Sequence, residues 1–297
     1  MKENEKLNMQ MSERNALLEP LQKLNLMDDF LFDVTTVNLE ACQIIIELSL
    51  NIRIKKIRWK EGQKVVHNLP GRRGIRMDFY VEDTEGRIFD VEMQKRNRGN
   101  IPKRTRYYQG LLDAPLLKSG EEGFDNLKPT YIVVICGFDQ YKKGKYRYTF
   151  CNLCKEVSGL ELGDECTKII LNTKGKNDDE VEPALVDFLH YVENSDREEM
   201  SENCDERLLR LHAIVKKIKT SEQMGVSYMK MEERDRQIRE DGKKEGIEAG
   251  REEGERNKIL SLIQKKLDKG QTIEEIADAL EEAPAVIKGL MKELEEK

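Results

Sequence analysis

Residues 89–94 of the chain read FDVEMQ, and this stretch decides which fold the sequence can adopt. Side chains of a β-strand alternate between the two faces of a sheet, so the apolar residues share one face and the polar residues share the other. Burying carboxylates is costly unless they are paired or bind a cation, so packing alone does not explain the polar face. Its members are Asp90, Glu92 and Gln94.

A further carboxylate, Asp78, lies in the preceding β-like segment, residues 75–81. The residues DTEG at 83–86 predict a hairpin turn that joins this segment to the 87–94 strand. Neighbouring strands would then hold Asp78 and Glu92 together, which is one way to build a divalent metal site. Salt bridges with nearby arginines explain the same two acids equally well on the residues alone.

The patterns around this hairpin predict an α/β domain. Helical periodicity covers residues 15–50, with Asn38 as the N-cap of its second half. Short β-like runs follow at 52–57 and 64–67, and a helix is expected from Ile101, with Pro102 in its first turn. The apolar run 131–136 suits a buried central strand, and further strands are expected at 146–150 and 168–171.

The β signal ends near residue 195, which predicts a first domain over residues 1–195. Residues 196–257 are predicted as a charged helical linker in which glycine recurs every four residues from Gly242 to Gly254. This glycine stripe is either a solvated, marginal helix or a face that binds a partner. Residues 258–297 are predicted as a small helical module, and we expect it to serve oligomerisation or a partner.

Charge is distributed unevenly along the chain. Residues 53–106 contain sixteen basic and seven acidic side chains, whereas residues 231–297 contain fourteen basic and nineteen acidic ones. The basic block predicts a polyanionic substrate, and the acidic tail argues against strong DNA contact there. The charged start and the lack of a long apolar run predict a cytoplasmic protein that does not enter a membrane.

The spacing of Asp78, Glu92 and Gln94 resembles that of the PD-(D/E)XK nuclease superfamily, and more narrowly its recombination-promoting nuclease and transposase family. The resemblance covers roughly residues 26–195. It implies a restriction-endonuclease-like core, with a mixed central sheet flanked by helices and a C-terminal helical extension. It also implies a Mg²⁺-dependent DNA endonuclease of recombination or mobile elements, with Mn²⁺ as an alternative ion. The matching stretches are 76–83, 90–94, 102–109, 161–164 and 171–175.

The resemblance implies roles for particular residues. Asp78 and Glu92 would be carboxylate ligands of the ion, with the Met93 carbonyl as an additional ligand. Gln94 occupies the position at which the superfamily usually has lysine, and an amide can orient water but brings no positive charge. Glu40 is the expected helix-borne acid, with Glu47 as the competing choice.

Four further side chains are expected to contact the substrate. Arginine suits bidentate phosphate contact, and the helix after the motif strand presents two arginines and a tyrosine. Ordinary surface or packing roles remain open for all of them. Because Gln94 is uncharged, a nucleic-acid-binding protein that has lost cleavage is the alternative function. The four side chains are Arg76, Arg104, Arg106 and Tyr108.

Overall fold

The structure is a computed structural model that describes residues 2–62, 65–66, 75–117, 120, 123–196, 200 and 204–295. The chain divides into two compact units, Met1–Tyr228 and Met229–Lys297. The first unit contains the sheet and the hairpin around residues 78–94, and the second is helical.

The described strands form a six-stranded mixed sheet, in the order β1-β4-β5-β6-β8-β7, and a separate two-stranded ribbon of β2 and β3. Strand β6 runs parallel to β5 and β8, and the other pairs are antiparallel. The prediction of a mixed α/β sheet is therefore confirmed. The strands are β1 Ile57–Gly62, β2 Val65–Val66, β3 Ile75–Arg76, β4 Phe79–Asp83, β5 Ile88–Gln94, β6 Thr130–Cys136, β7 Arg147–Phe150 and β8 Cys166–Asn172.

The described helices flank this sheet and form the C-terminal extension. Asn38 caps α3 as expected, because its side-chain oxygen accepts hydrogen bonds from the amides of Glu40 and Ala41. The helices are α1 Lys2–Gln22, α2 Asp29–Thr35, α3 Leu39–Leu50, α4 Ile101–Asp113, α5 Pro183–Glu193, α6 Glu206–Lys219, α7 Glu222–Leu267, α8 Ile273–Leu280 and α9 Pro284–Glu295.

Two apolar clusters pack on opposite faces of the sheet. The larger contains Phe89, Val91 and Met93 of β5, together with residues of α2, α3, α5 and α6. The smaller contains Ile88 of β5 and the buried side of α4, including Tyr108. Since residues two apart share a face, the polar positions 90, 92 and 94 face the side that α4 covers. This arrangement places the motif strand against the helix that follows it.

The structure differs from the expected element bounds in several places. The segment expected as one β-like run over 75–81 forms two strands, since β3 pairs with β2 in the ribbon and β4 pairs with β5 in the main sheet. The strand expected at 52–57 begins at Ile57 and runs to Gly62. The first unit also extends past residue 195, because Leu208, Leu211 and Val215 of α6 are buried in its main core. Periodicity marks α6 as a helix, but only packing shows which core its apolar face joins.

The second unit has a small core of its own. Ile263 of α7, Ile276 and Ala277 of α8, and Ile287 of α9 bury their side chains together. Helix α8 begins with a capping box, in which Thr272 and Glu275 satisfy each other's backbone amides. The glycine-punctuated segment is part of the continuous helix α7, which spans 46 residues.

Candidate active site

Asp78 and Glu92 lie side by side at the start of β4 and the end of β5. The pairing of Phe79 with Val91 places Asp78 opposite Glu92, one position before β4 begins. The Asp78 amide donates a hydrogen bond to Glu92 Oε1 at 3.3 Å, and the Met93 amide donates one to Asp78 Oδ2 at 2.8 Å. The register of an antiparallel pair therefore holds the two carboxylates together, as the hairpin pattern predicted.

Arg104 reaches this pair from α4. Its guanidinium forms an ion pair with Glu92 Oε2, donates to Gln94 Oε1 at 2.9 Å, and donates through Nε to the Tyr108 hydroxyl at 2.7 Å. The same guanidinium lies 5.0 Å from the centre of the Tyr108 ring. Gln94 in turn donates its amide to the Met93 carbonyl at 2.7 Å. Helix α4 thus closes one side of the site.

Burial raises the pKa of both carboxyl groups above its ordinary value. The pKa of Asp78 rises to about 6, because burial outweighs the Met93 amide and Arg104, both of which lower it. The pKa of Glu92 is raised well above its ordinary value, because its side chain is buried and the charges of Asp90 and Asp78 add to the effect. A cation that neutralised both groups would therefore be bound favourably.

Two acids of α2 belong to the surroundings of Asp78 and were missed by sequence reasoning. The charges of Asp33 and Asp29 both raise the pKa of Asp78. Their spacing of four residues on a short helix places them on one face, and this is the signal that could have found them. Asp90, on the strand face of Glu92, is fully buried.

The structure does not bring the two expected helix-borne acids into this cluster. Glu40 is half-exposed and pairs with Arg210 of α6 at 3.2 Å. Glu47 is buried, and it accepts a hydrogen bond from the Ile54 amide at 2.9 Å. Both glutamates face partners that hold α3 in place, so Asp29 and Asp33 of α2 are the helical acids beside Asp78.

The residues expected to contact substrate lie in different surroundings. Arg106 is exposed on α4, whereas Tyr108 is buried beneath the same helix. Arg104 is partly buried and turned towards the carboxylates. The side chain of Arg76 lies outside the described part of the chain. Only Arg104 and Tyr108 are therefore shown in contact with the motif strand's site.

The donor atoms here fit a hard divalent cation. The neighbouring carboxylates of Asp78 and Glu92 and the carbonyl oxygen of Met93 are oxygen ligands of the type that Mg²⁺ prefers, and Mg²⁺ commonly uses only one or two carboxylates. Within the described ranges, no three or more acidic, histidine or cysteine side chains are grouped to hold a metal ion. With two carboxylates and one carbonyl as ligands, positions on the ion would remain for water and substrate.

Comparison with known families supports this reading of the motif. The family model described as PD-(D/E)XK nuclease family transposase matches residues 43–249, which is more than half of the chain. The chain belongs to this family. The matched segment includes Asp78, Glu92, Gln94 and Arg104. The family implies a nuclease-like role, and its nucleases generally use divalent metals.

No curated protein and no solved structure matches the chain. Across the residues that the structure describes, no helix combines the length and the apolar character needed to cross a membrane.

Proposed function

We propose that the protein is a metal-dependent endonuclease that hydrolyses phosphodiester bonds in DNA, with Mg²⁺ or Mn²⁺ as the ion. One observation carries the proposal: the partly buried Asp78 and the buried Glu92 are adjacent and raised in pKa beside a basic helix. Such perturbed groups cluster at functional sites. The family's description as a transposase supports a role in recombination or mobile elements.

A basic surface next to the site supports DNA as the substrate. Residues 95–106 follow β5 directly and contain six basic side chains and no acidic one. All six except Arg104 are exposed, as phosphate contact requires. The exposed members are Lys95, Arg96, Arg98, Lys103 and Arg106.

Each residue of the site has a defined task in this proposal. The carboxylates of Asp78 and Glu92 and the carbonyl of Met93 would hold the ion, which when bound polarises the phosphodiester and lowers the pKa of a coordinated water. The amide of Gln94 would orient water by hydrogen bonding. Arg106 and its exposed neighbours would bind the phosphate backbone, and Tyr108 would support Arg104 from below.

The direct test measures nicking and cutting of supercoiled and linear DNA with Mg²⁺ or Mn²⁺. We expect Asp78→Asn and Glu92→Gln each to lose about 100-fold or more of the cleavage rate, because each removes a charged ligand of the ion. Asp113→Asn is the matched control, since Asp113 lies on α4 and bonds to Gln109 instead. Undiminished cleavage by both site variants would reject the proposal.

The alternative is a nucleic-acid-binding protein on a nuclease scaffold, with cleavage weak or lost. Two observations favour it: position 94 carries an uncharged amide, and Glu92 is already paired with Arg104. This alternative predicts DNA retention without metal-dependent cutting, with affinity that falls steeply as salt rises. Cleavage assays with both ions across several DNA forms separate the two functions.

The C-terminal unit has a proposed role distinct from chemistry. Its three-helix core is small, and we propose that these helices serve assembly with a second copy of the chain. Light scattering of the full chain at several concentrations measures the oligomeric state, and a strictly monomeric protein would reject this role.

A further inference from the structure

Arg104 differs from every other basic side chain of the 95–106 segment. Its side chain is 27 % exposed, whereas the other five are well exposed to solvent. Three of its nitrogens point back at the protein, to Glu92, Gln94 and Tyr108, and not towards solvent. Its charge is therefore directed at the motif strand.

The partners of Arg104 define what the guanidinium does. Glu92 is 1 % exposed, and a carboxylate buried so deeply needs a counter-charge or a bound cation. The planar guanidinium can bridge two acceptors at once, and here it connects the carboxylate of Glu92 to the amide oxygen of Gln94. A lysine ammonium at position 104 would donate from a single nitrogen, without the planar fork whose separate nitrogens reach Glu92, Gln94 and Tyr108.

Tyr108 fixes the guanidinium in this position. It follows Arg104 by one helical turn, accepts its Nε hydrogen bond, and places its ring beneath the guanidinium. Tyr108 is itself 6 % exposed and belongs to the apolar cluster under α4. The arginine is therefore held by the core, which suits a preorganised group better than a mobile surface contact.

We propose that Arg104 is the positioning residue of the site: its guanidinium supplies, from α4, the positive charge that the neutral side chain of Gln94 lacks. It orients Glu92 and Gln94 and balances the buried carboxylate charge. This inference rests on the proposed function for its effect on cleavage. Its electrostatic part stands on the geometry alone and can be measured without cleavage.

Moving the charge is the sharpest test. Arg104→Met removes the guanidinium, and Gln94→Lys in the same chain returns a positive charge to the same face of β5. A guanidinium repels a dication more strongly than a competing proton, so its loss should favour the ion. We expect Arg104→Met to tighten Mn²⁺ binding by about 10-fold, and the double variant to return close to the wild-type affinity.

Calorimetric titration with Mn²⁺ measures these affinities, and Arg147→Met is the matched control. Arg147 lies on β7, is 25 % exposed and pairs with Glu182 at 3.1 Å. Its loss therefore removes a comparable ion pair away from the site. Unchanged Mn²⁺ affinity in Arg104→Met, or a double variant that stays like the single one, would overturn the proposal. So would a wild-type protein that binds no Mn²⁺.

A second variant covers the case in which Arg104→Met does not fold, which circular dichroism melting would reveal. Gln94→Lys alone adds a second positive charge beside the site. We expect it to weaken Mn²⁺ binding by about 10-fold, and an unchanged affinity would overturn the proposal.

Cleavage kinetics separate positioning from DNA contact. Arg104→Met should lower kcat by about 100-fold and leave the KM for DNA unchanged. Adding Gln94→Lys to that variant should restore much of the lost kcat. A raised KM with kcat unchanged would make Arg104 a DNA contact and overturn the proposal. If the wild-type protein binds Mn²⁺ but does not cleave DNA, the proposed endonuclease function is rejected. The Mn²⁺ affinities of the wild type and the variants would still test the role of Arg104.

Discussion

At the scale of single residues, the site holds its carboxylates under unfavourable conditions. Asp78 is partly buried and Glu92 is buried beside it, and the loss of solvation raises the pKa of both groups. A buried charge of this kind destabilises the folded state until a cation binds. The protein thus keeps two poorly solvated acids where a bound ion would balance their charge. Without the ion, these acids should lower the free energy of unfolding.

The pH dependence of unfolding should reveal the cost at Asp78. Its folded pKa of about 6 exceeds the unfolded value of ~3.9, so the folded protein binds the proton more tightly. The free energy of unfolding should therefore fall as the pH rises from about 4 to about 6. Asp78→Asn should raise the stability of the metal-free protein by about 2 kcal/mol at pH 7 and flatten this slope.

Denaturant unfolding at several pH values in EDTA measures the effect, and Asp139 is an opposite control. Burial raises the pKa of Asp139, but hydrogen bonds from the amides of Gly144, Tyr141 and Lys142 and from the Tyr148 hydroxyl together lower it below its ordinary value. Its contribution is present above the unfolded pKa and is lost as the pH falls, so Asp139→Asn should destabilise at pH 7. A destabilised Asp78→Asn would contradict our account of the site.

At the scale of elements, the pairing of β4 with β5 and the packing of α4 build the site. The alternation along β5 sends apolar side chains to the main core and polar ones towards α4. The hairpin then brings Asp78 to Glu92, and α4 returns Arg104 over the strand that precedes it. Three consecutive elements of the chain therefore supply the whole proposed centre apart from α2.

Helix α7 provides a prediction at the same scale. A side chain added at Gly242, Gly246 or Gly250 would meet no atom within 4 Å, and the three lie in a continuous helix. Each glycine-to-alanine change should stabilise the helix by up to about 1 kcal/mol, because glycine loses more backbone freedom on folding.

Circular dichroism and thermal melting of the full chain at low protein concentration measure this gain. Gly225→Ala is the contrasting variant, because its added carbon would lie 3.0 Å from Leu17 Cγ and 3.1 Å from the Leu17 carbonyl oxygen. We expect that change to destabilise the first unit. Lower stability in all three α7 variants would show that the glycine face is covered by a partner.

At the scale of the whole molecule, the two units differ in the size of their cores and in their charge. The first contains the sheet, both large cores, the candidate site and the basic segment. Among the described residues of the second, five apolar side chains are buried: Leu260, Ile263, Ile276, Ala277 and Ile287. The second unit is also acidic, with fourteen basic and nineteen acidic residues from 231 to 297. Under the proposed function, we therefore expect catalysis and DNA contact in the first unit.

Truncation after Tyr228 tests this division. We expect residues 1–228 to unfold cooperatively and to retain Mn²⁺ binding, DNA binding and any cleavage, because their core and site are complete without the second unit. Fluorescence anisotropy with labelled DNA at two salt concentrations measures the binding. A truncated protein that folds but no longer binds DNA would assign DNA recognition to the C-terminal helices.

The sequence alone determined the local features of this protein. Alternation along residues 89–94 predicted β5 and its polar face, Asn38 predicted the start of α3, and the hairpin placed Asp78 near Glu92. Each of these depends on neighbours within about fifteen residues, where periodicity and turn chemistry are strong guides. The resemblance to the PD-(D/E)XK family predicted the fold, and the matching family model confirms that the chain belongs to this family.

Only the tertiary structure decided which distant groups meet. It paired Glu40 with Arg210, brought the charges of Asp29 and Asp33 to Asp78, and turned Arg104 back onto Glu92. Helical periodicity shows on which face of its helix a residue lies, but not which other element packs against that face. Which elements meet depends on how the helices pack on the two faces of the sheet. The favoured packing is the one that buries the most apolar surface, and no local sequence pattern specifies it.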